Sequence, residues 1–591
     1  MKKILFGFLG FLVLVYALIV TGCVVNPGDS DGNNKEKVDD WVYVPNYFDS
    51  DAMPSSFSTA KMAAAPTGGA MLAEESIGFS TGGAKDVGNF RENIKQGYLP
   101  LPTDLTYEGL FYDYFFDTGK SEECDKLFCP SYSYAVSKDP FSSNDDYYLA
   151  VGLNSGMKES DFKRKKLNLV VVLDISGSMS SPFDNYYYDQ FGNQQNLKVP
   201  SLEESNKSKM EVAREAVVGL LGHLNDEDRF GMVLFDDIAY LGKPLSSIGN
   251  TDVESLKKHI LELEPMNSTN MEEGMKMGTD LFKEYLNADQ DEYENRIIFL
   301  TDAMPNTVDS SDEGLFGMFE KNSKNKLYTT FIGMGVDFNT ELIEIITKIR
   351  GANYYSVHTA DEFLKRMDDE FEYMVTPLVF NLRLILDAKG YEIEKVYGSP
   401  EASEATGELM KVNTLFPSKT EGGETRGGIV LLKLKKTAED GNLNLSTVYE
   451  DRNGKSGSDI VEIALGEVGF EFYENSGIRK GILLARYADL MKSWMVDERK
   501  GQRQTENDRV VPFDEPSPMM PCITFERGIV PRCGFFELGE WERQSMDLKV
   551  SAHYKELFEK FKTYFEKEME AIGDKTLTKE IEILNLLINK R

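Results

Sequence analysis

Between Leu167 and Met374 the period of the apolar positions switches back and forth. Leu167–Leu173, Phe230–Phe235, Ile297–Leu300 and Tyr328–Met334 are short, nearly continuous apolar runs that read as buried strands. Met210, Ala213, Val217, Leu220 and Leu224 recur at helical spacing, and Phe338 to Ile349 and Glu362 to Met374 also read as helices. Apolar strands alternating with helices predict a parallel sheet covered on both faces. The flanks have a different texture. Asn89–Ile94 reads as a helix stopped by Gly97, and an aromatic-rich helix follows around Glu108 to Phe116, its Tyr and Phe side chains expected in a core. Beyond Thr376, Val379–Leu386, Gly428–Leu434, Leu443–Tyr449 and Ile460–Leu465 read as strands, with Asn453-Gly454 a hairpin signal between the last two. A helix near Ile478–Trp494 and a final amphipathic helix carrying Tyr554, Phe558, Phe561, Phe565 and Ile572 on one stripe close the chain.

These patterns predict a multidomain α/β protein. A central doubly wound parallel sheet spans 166–375, preceded by a small N-terminal helical module at 86–165. A β-rich domain at 376–475 and a C-terminal helical region at 476–591 follow. Residues 23–85 read as a largely disordered tether. Pro27–Asp40 is mostly Gly, Asp, Asn and Lys, Pro54–Gly69 is Ser, Ala, Met, Gly and Pro, and neither holds an apolar period. Asp29 to Asn33 has the residues of a calcium loop, but its Gly is misplaced and no Glu closes the pattern, so it reads as linker.

Charge and targeting signals narrow the classes. At 591 residues the chain is too long for one core, and its net charge of -33 repels nucleic acid. Lys2 and Lys3 precede an apolar stretch from Ile4 to Val20, and Val20-Thr21-Gly22-Cys23 follows at once. This resembles a bacterial lipobox, which implies a signal peptide over 1–22, lipidation of Cys23 and a cell-envelope location facing the periplasm or the outside. Val24 after Cys23 is not Asp, so in a diderm cell the expected site is the outer membrane. The remaining Cys124, Cys129, Cys522 and Cys533 form an even set in an exported chain. The simplest of three pairings is Cys124 with Cys129 and Cys522 with Cys533. Metal binding is the alternative, without CxxC spacing or a neighbouring His to support it.

The most informative string is Leu169-Val170-Val171-Val172-Leu173-Asp174-Ile175-Ser176-Gly177-Ser178. An apolar strand ends in a carboxylate and two hydroxyls, and open α/β sheets bind ligands beyond the carboxyl ends of their strands. Such oxygens suit a hard cation, magnesium above all. The string resembles the metal-ion-dependent adhesion site of von Willebrand factor type A domains. That family completes the site with a Thr and an Asp from two later loops. Here Thr269 lies in Pro265–Asn270, ahead of a helix from Met271, and Asp302 ends the strand Ile297–Thr301. The resemblance makes Ser176, Ser178 and Thr269 hydroxyl ligands of Mg2+ (or Mn2+ or Ca2+), with Asp174 and Asp302 acting directly or through water. The last position is left for a carboxylate of a protein partner. The sequence departs from the family where Asn267-Ser268 and Ala303 replace commonly found Gly, which bears on loop shape. The other reading is a degenerate site in which the serines only cap a helix. A long segment with Tyr186-Tyr187-Tyr188 between Ser180 and Lys207 is expected beside the site, as a contact surface or as an inert insertion. Asn89–Asp117, with its Gly-Tyr-Leu-Pro-Leu-Pro, and the regions after Thr376 resemble modules of bacterial type A lipoproteins labelled calcium-activated chloride channel homologues. No second apolar span supports a channel.

The enzyme alternative is a haloacid-dehalogenase-type phosphohydrolase, which also places an Asp after an apolar strand. Its second Asp, the acid/base, falls at Ser176, and a hydroxyl cannot carry that proton near neutral pH. His223, His259, His358 and His553 lie in no metal or triad motif, and no Gly-Lys-Ser/Thr phosphate loop occurs. The expectation is therefore a non-enzymatic binding protein. A structural envelope protein with an idle type A fold is the third reading.

Overall fold

A computed structural model describes residues 37–45, 76–82, 87–119, 125–142, 144–181, 187–188, 194–195, 207–266, 268–286, 290–302, 314–334, 346, 348–357, 363–364, 367, 370–399, 409–438, 442–463, 471–507 and 546–590. The strands that precede the central unit include β1 (Ser76–Thr81), β2 (Ser131–Lys138), β3 (Asp145–Gly152) and β4 (Asn154–Lys158). Six form the central sheet: β5 (Lys166–Asp174), β6 (Arg229–Phe235), β7 (Ala239–Ser247), β8 (Tyr293–Thr301), β9 (Leu327–Met334) and β10 (Asn353–Val357). The strands that follow include β11 (Val379–Lys389), β12 (Tyr391–Tyr397), β13 (Leu409–Ser418), β14 (Ile429–Lys436), β15 (Asn442–Asp451) and β16 (Ser456–Ile463).

The central sheet has the order β7-β6-β5-β8-β9-β10, parallel except for β7. Its middle strand is buried on both faces, as the apolar run predicts. Leu167, Leu169, Val171 and Leu173 enter one core with α3 (Lys209–Leu220) and α4 (Val253–Leu261). Val170 and Val172 enter the opposite core with α5 (Met271–Asp280) and α6 (Leu315–Lys324). From β5 the chain moves first to β6 on one side and later to β8 on the other. The gap between β5 and β8 is therefore the topological switch point where such sheets bind ligands.

The strands on either side of the central unit pair with each other. β1 lies between β13 and β4 in a six-stranded antiparallel sheet, β16-β15-β11-β13-β1-β4, and β3 lies between β14 and β2 in the sheet facing it. Phe79, Leu149, Val151, Leu382, Leu415, Val430 and Leu432 share one core between the two sheets, which makes a β-sandwich. On its other face the second sheet carries α1 (Gly88–Gln96), α2 (Tyr107–Tyr112), α8 (Ser476–Asn507), α9 (Ala552–Ile572) and α10 (Thr578–Asn589). They are packed around a buried Trp494, and α7 (Phe371–Val375) leads out of the central unit.

This differs from the expectation in three respects. The segment 86–165 holds β2, β3 and β4 as well as α1 and α2, so it is not a purely helical module, and these strands complete a sandwich with residues of the 376–475 region. Ser76–Thr81, assigned to the tether, is an interior strand, and 37–45 lies against the central unit. The second aromatic helix stops at Tyr112 rather than running to Phe116. Gly97 ends α1 with φ of 89°, as read from the sequence. Cys23, the stretch 1–22, Cys124, Cys522, Cys533 and His358 lie outside the described residues, as does most of the Phe338–Ile349 helix. Among the described residues no helix is long and apolar enough to cross a membrane.

Candidate metal site

Asp174 is the last residue of β5, and Asp302 follows β8, the neighbour of β5 in parallel register. The two carboxylates therefore meet at the switch point. Between them the chain after β5 turns tightly. The Ser176 amide donates to Asp174 Oδ1 (2.7 Å), and the hydroxyls of Ser176 and Ser178 lie 3.0 Å apart. Ser178 Oγ donates to Asp302 Oδ1 (2.7 Å), and the Thr301 hydroxyl donates to Asp174 Oδ2. Asp174 and Ser176 are buried, whereas Ser178 is exposed and opens the cluster to solvent. Burial, reinforced by the charge of Asp302, pushes the Asp174 carboxyl up to about 7.

Thr269 is exposed in the segment before α5. Both ends of that segment are held at the same sheet edge. The Met266 amide donates to Ile175 O (2.7 Å), and the Asn270 amide donates to Asp236 O just beyond β6. Four of the five expected residues thus form one hydrogen-bonded cluster, and Thr269 sits on a loop tied beside it. The base of the Tyr-rich segment is there too, since the Lys209 amide donates to Ser181 O (2.9 Å); Tyr187 and Tyr188 pair with Gln195 and Gln194.

Two participants escaped the sequence reading. Thr301 anchors Asp174, and Lys209 Nζ lies 2.8 Å from Asp302 Oδ2 with both side chains almost fully buried. A lysine opening a helix reads as solvated surface. Its pairing with a residue 93 positions away has no local signal. The cluster contains only oxygen donors and two carboxylates, a set that fits a hard divalent cation. Lys209 already offsets one of the two charges. Of the histidines, His223 stacks on Phe371, His259 meets Asp39 and Trp41, and His553 packs against Tyr554, all away from this cluster.

Residues 169–304 match the family model of the von Willebrand factor type A domain. The central unit is a type A domain. Among solved structures, a von Willebrand factor type A protein from Catenulispora acidiphila is similar at 12% identity, covering 63% of this chain and 82% of that one with a TM-score of 0.35. The ArnB paralog VWA2 from Sulfolobus acidocaldarius matches at 13% identity over 65% and 88%, TM-score 0.31. Proximal thread matrix protein 1 from the mussel byssus, with a zinc-occupied MIDAS motif, matches at 16% identity over 35% and 46%, TM-score 0.26.

Proposed function

We propose that this protein is a lipid-anchored cell-envelope protein whose type A domain binds a protein partner through a divalent cation. Asp174, Ser176, Ser178, Thr269 and Asp302 would hold the ion, Mg2+ in the first instance. The observation that carries this reading is the cluster of Asp174, Ser176, Ser178 and Asp302 at the switch point of the type A sheet. When bound, the ion supplies a Lewis-acidic centre able to take an anionic oxygen from a partner. The chain's own residues set the charge balance. Two carboxylates, one of them paired with Lys209, under-neutralise a divalent ion, which favours a further carboxylate from outside. Ser178 and Thr269, both exposed, border the face that partner would meet.

A binding role also accounts for the residues better than catalysis does. Ser176 stands where a phosphohydrolase needs its acid/base, and its hydroxyl lies beside that of Ser178 within the cluster. The anchor rests on the lipobox ending at Cys23. A disulfide between Cys124 and Cys129 would fit the oxidising compartment that this location implies. Isothermal calorimetry on the full chain with Mg2+ and Mn2+ tests the metal reading. One saturable site is expected in the wild type and none in Asp174→Ala; equal binding by both would overturn it. Labelled palmitate should enter the wild type and not Cys23→Ala, and equal labelling would refute the anchor.

A further inference from the structure

The amino-terminal edge of the type A sheet, opposite the metal site, faces the turn between β15 and β16 of the sandwich. Between them lies a cavity of about 40 Å³. It is lined by Lys165 before β5, Asp291 and Glu294 around the start of β8, Lys326 before β9, Phe380 of β11 and Arg452 of the turn. Such a space holds about three waters, or one small tetrahedral ion. Strand β8 runs from this cavity to the metal cluster, which places the two roughly 25 Å apart.

The chain carries 98 acidic and 65 basic residues, yet this cavity has the opposite balance. Glu294 is engaged by the fully buried Arg296 at 3.2 Å, which leaves Asp291 to face Lys165, Lys326 and Arg452. Two positive charges are therefore in excess. Among the described residues none of the three cations forms an ion pair, and Arg452 Nη1 is buried without a hydrogen-bond partner. Burial, then the nearby charge of Arg452, pushes the Lys165 ammonium below its usual value.

The cations are held where they are by their own turns. Asp451 Oδ1 accepts from the Asn453 and Lys455 amides (both 2.8 Å) and so fixes the turn that carries Arg452. Lys165 Nζ donates to Gln290 O (2.9 Å). Lys326 follows α6 with φ of 57°, at a place where glycine is the common choice, and its amide donates to Ser323 O (3.0 Å). The buried rings of Phe380 and Tyr328 supply an apolar wall, beside which a charge-assisted hydrogen bond is strengthened.

We propose that this cavity binds a doubly charged tetrahedral oxyanion of the phosphate or sulfate class, bridging Lys165 and Lys326 beside the type A sheet to Arg452 of the sandwich. Two excess charges call for a dianion, and a planar carboxylate carries only one. Bound there, the ion fastens the β15–β16 turn to the type A domain.

The test is calorimetry on the full chain with inorganic phosphate, in a buffer containing a chelator so that the metal site takes no part. One saturable site is expected, competed by sulfate and not by acetate. Arg452→Gln and Lys165→Gln should each weaken binding by about tenfold or more, whereas Lys324→Gln, on the same α6 end but paired with Glu320, should bind as wild type does. In hydrogen exchange, phosphate should slow the 451–455 turn in the wild type and not in Arg452→Gln. No saturable binding at millimolar phosphate, equal binding by Arg452→Gln, an equal loss in Lys324→Gln, or acetate binding as tightly as sulfate would each overturn the site. Glycerol 3-phosphate distinguishes the sources of the ion. Binding as tight as that of phosphate assigns the cavity to a phosphoryl group on a larger molecule, and much weaker binding assigns it to the free ion.

Discussion

Asp174 is caught between burial, which opposes its charge, and a cluster of donors arranged for a carboxylate: the Ser176 amide and the Thr301 hydroxyl. A cation beside it would relieve that conflict, which favours the proposed metal site over the alternative in which Ser176 and Ser178 only cap a helix. Lys209 is the counterweight. Replacing it with Gln removes a buried positive charge next to Asp302 while the length of the side chain is nearly kept. Divalent-ion affinity should then rise by about tenfold, an effect of ~1.4 kcal/mol. Calorimetry on Lys209→Gln checks this; an affinity equal to wild type or lower would show that Lys209 does not compete for the charge of Asp302. The clustering of Asp174, Ser176 and Ser178 was legible because an apolar strand leads into a spaced Asp-x-Ser-x-Ser. Thr269 was legible only through the family resemblance, and Lys209 not at all, because its role depends on Asp302.

At the scale of elements, legibility followed the locality of the pattern. β5 and β8 are doubly buried runs and announce themselves, as do α8 and α9 through their apolar stripes. β1 does not, because its partners at Leu415 to Ser418 are more than 300 residues away and six residues carry too short an alternation. In β2 both faces are covered: Ser131, Ser133 and Ser137 are buried, and Tyr132 and Tyr134 pack partly buried against the sandwich core. The two ends of the fold are joined by charge. Arg91 of α1 binds Asp113 (2.6 Å) and Glu580 of α10, Tyr114 OH donates to Glu580 (2.7 Å), and Lys579 reaches Asp113 (3.0 Å). Burial alone would raise the Asp113 carboxyl, but Arg91 and Lys579 overcome it and hold the group well below the usual carboxylate range. A folded-state value depressed in this way contributes stability that is full above the unfolded value near 3.9 and is lost as pH falls below it. Asp113→Asn should therefore cost about 3 kcal/mol at pH 7 and flatten the loss of stability between pH 5 and 2.5. Denaturant titrations across that range check it, and an unchanged acid slope would contradict the assignment.

For the whole molecule, the type A domain is an insertion within a sandwich, not a bead on a string. The segments on either side of it share a core through pairs such as Phe79 with Pro417 and Val151 with Val430. A protease site placed in the exposed stretch between Glu159 and Lys163 should therefore be cut without releasing residues 76–158, which stay bound to the C-terminal half on native gel filtration. Separation of the fragments would show that the N-terminal segment is an independent module. At the carboxyl edge of the type A sheet Ser178 and Thr269 are exposed among the described residues. The central claim is that this edge holds a divalent cation, and the most direct measurement is anomalous diffraction from a crystal of the full chain soaked in manganese. The account predicts a single strong peak enclosed by Asp174, Ser176, Ser178, Thr269 and Asp302, missing in Asp174→Ala. A peak elsewhere on the protein, or none at millimolar manganese, would contradict it.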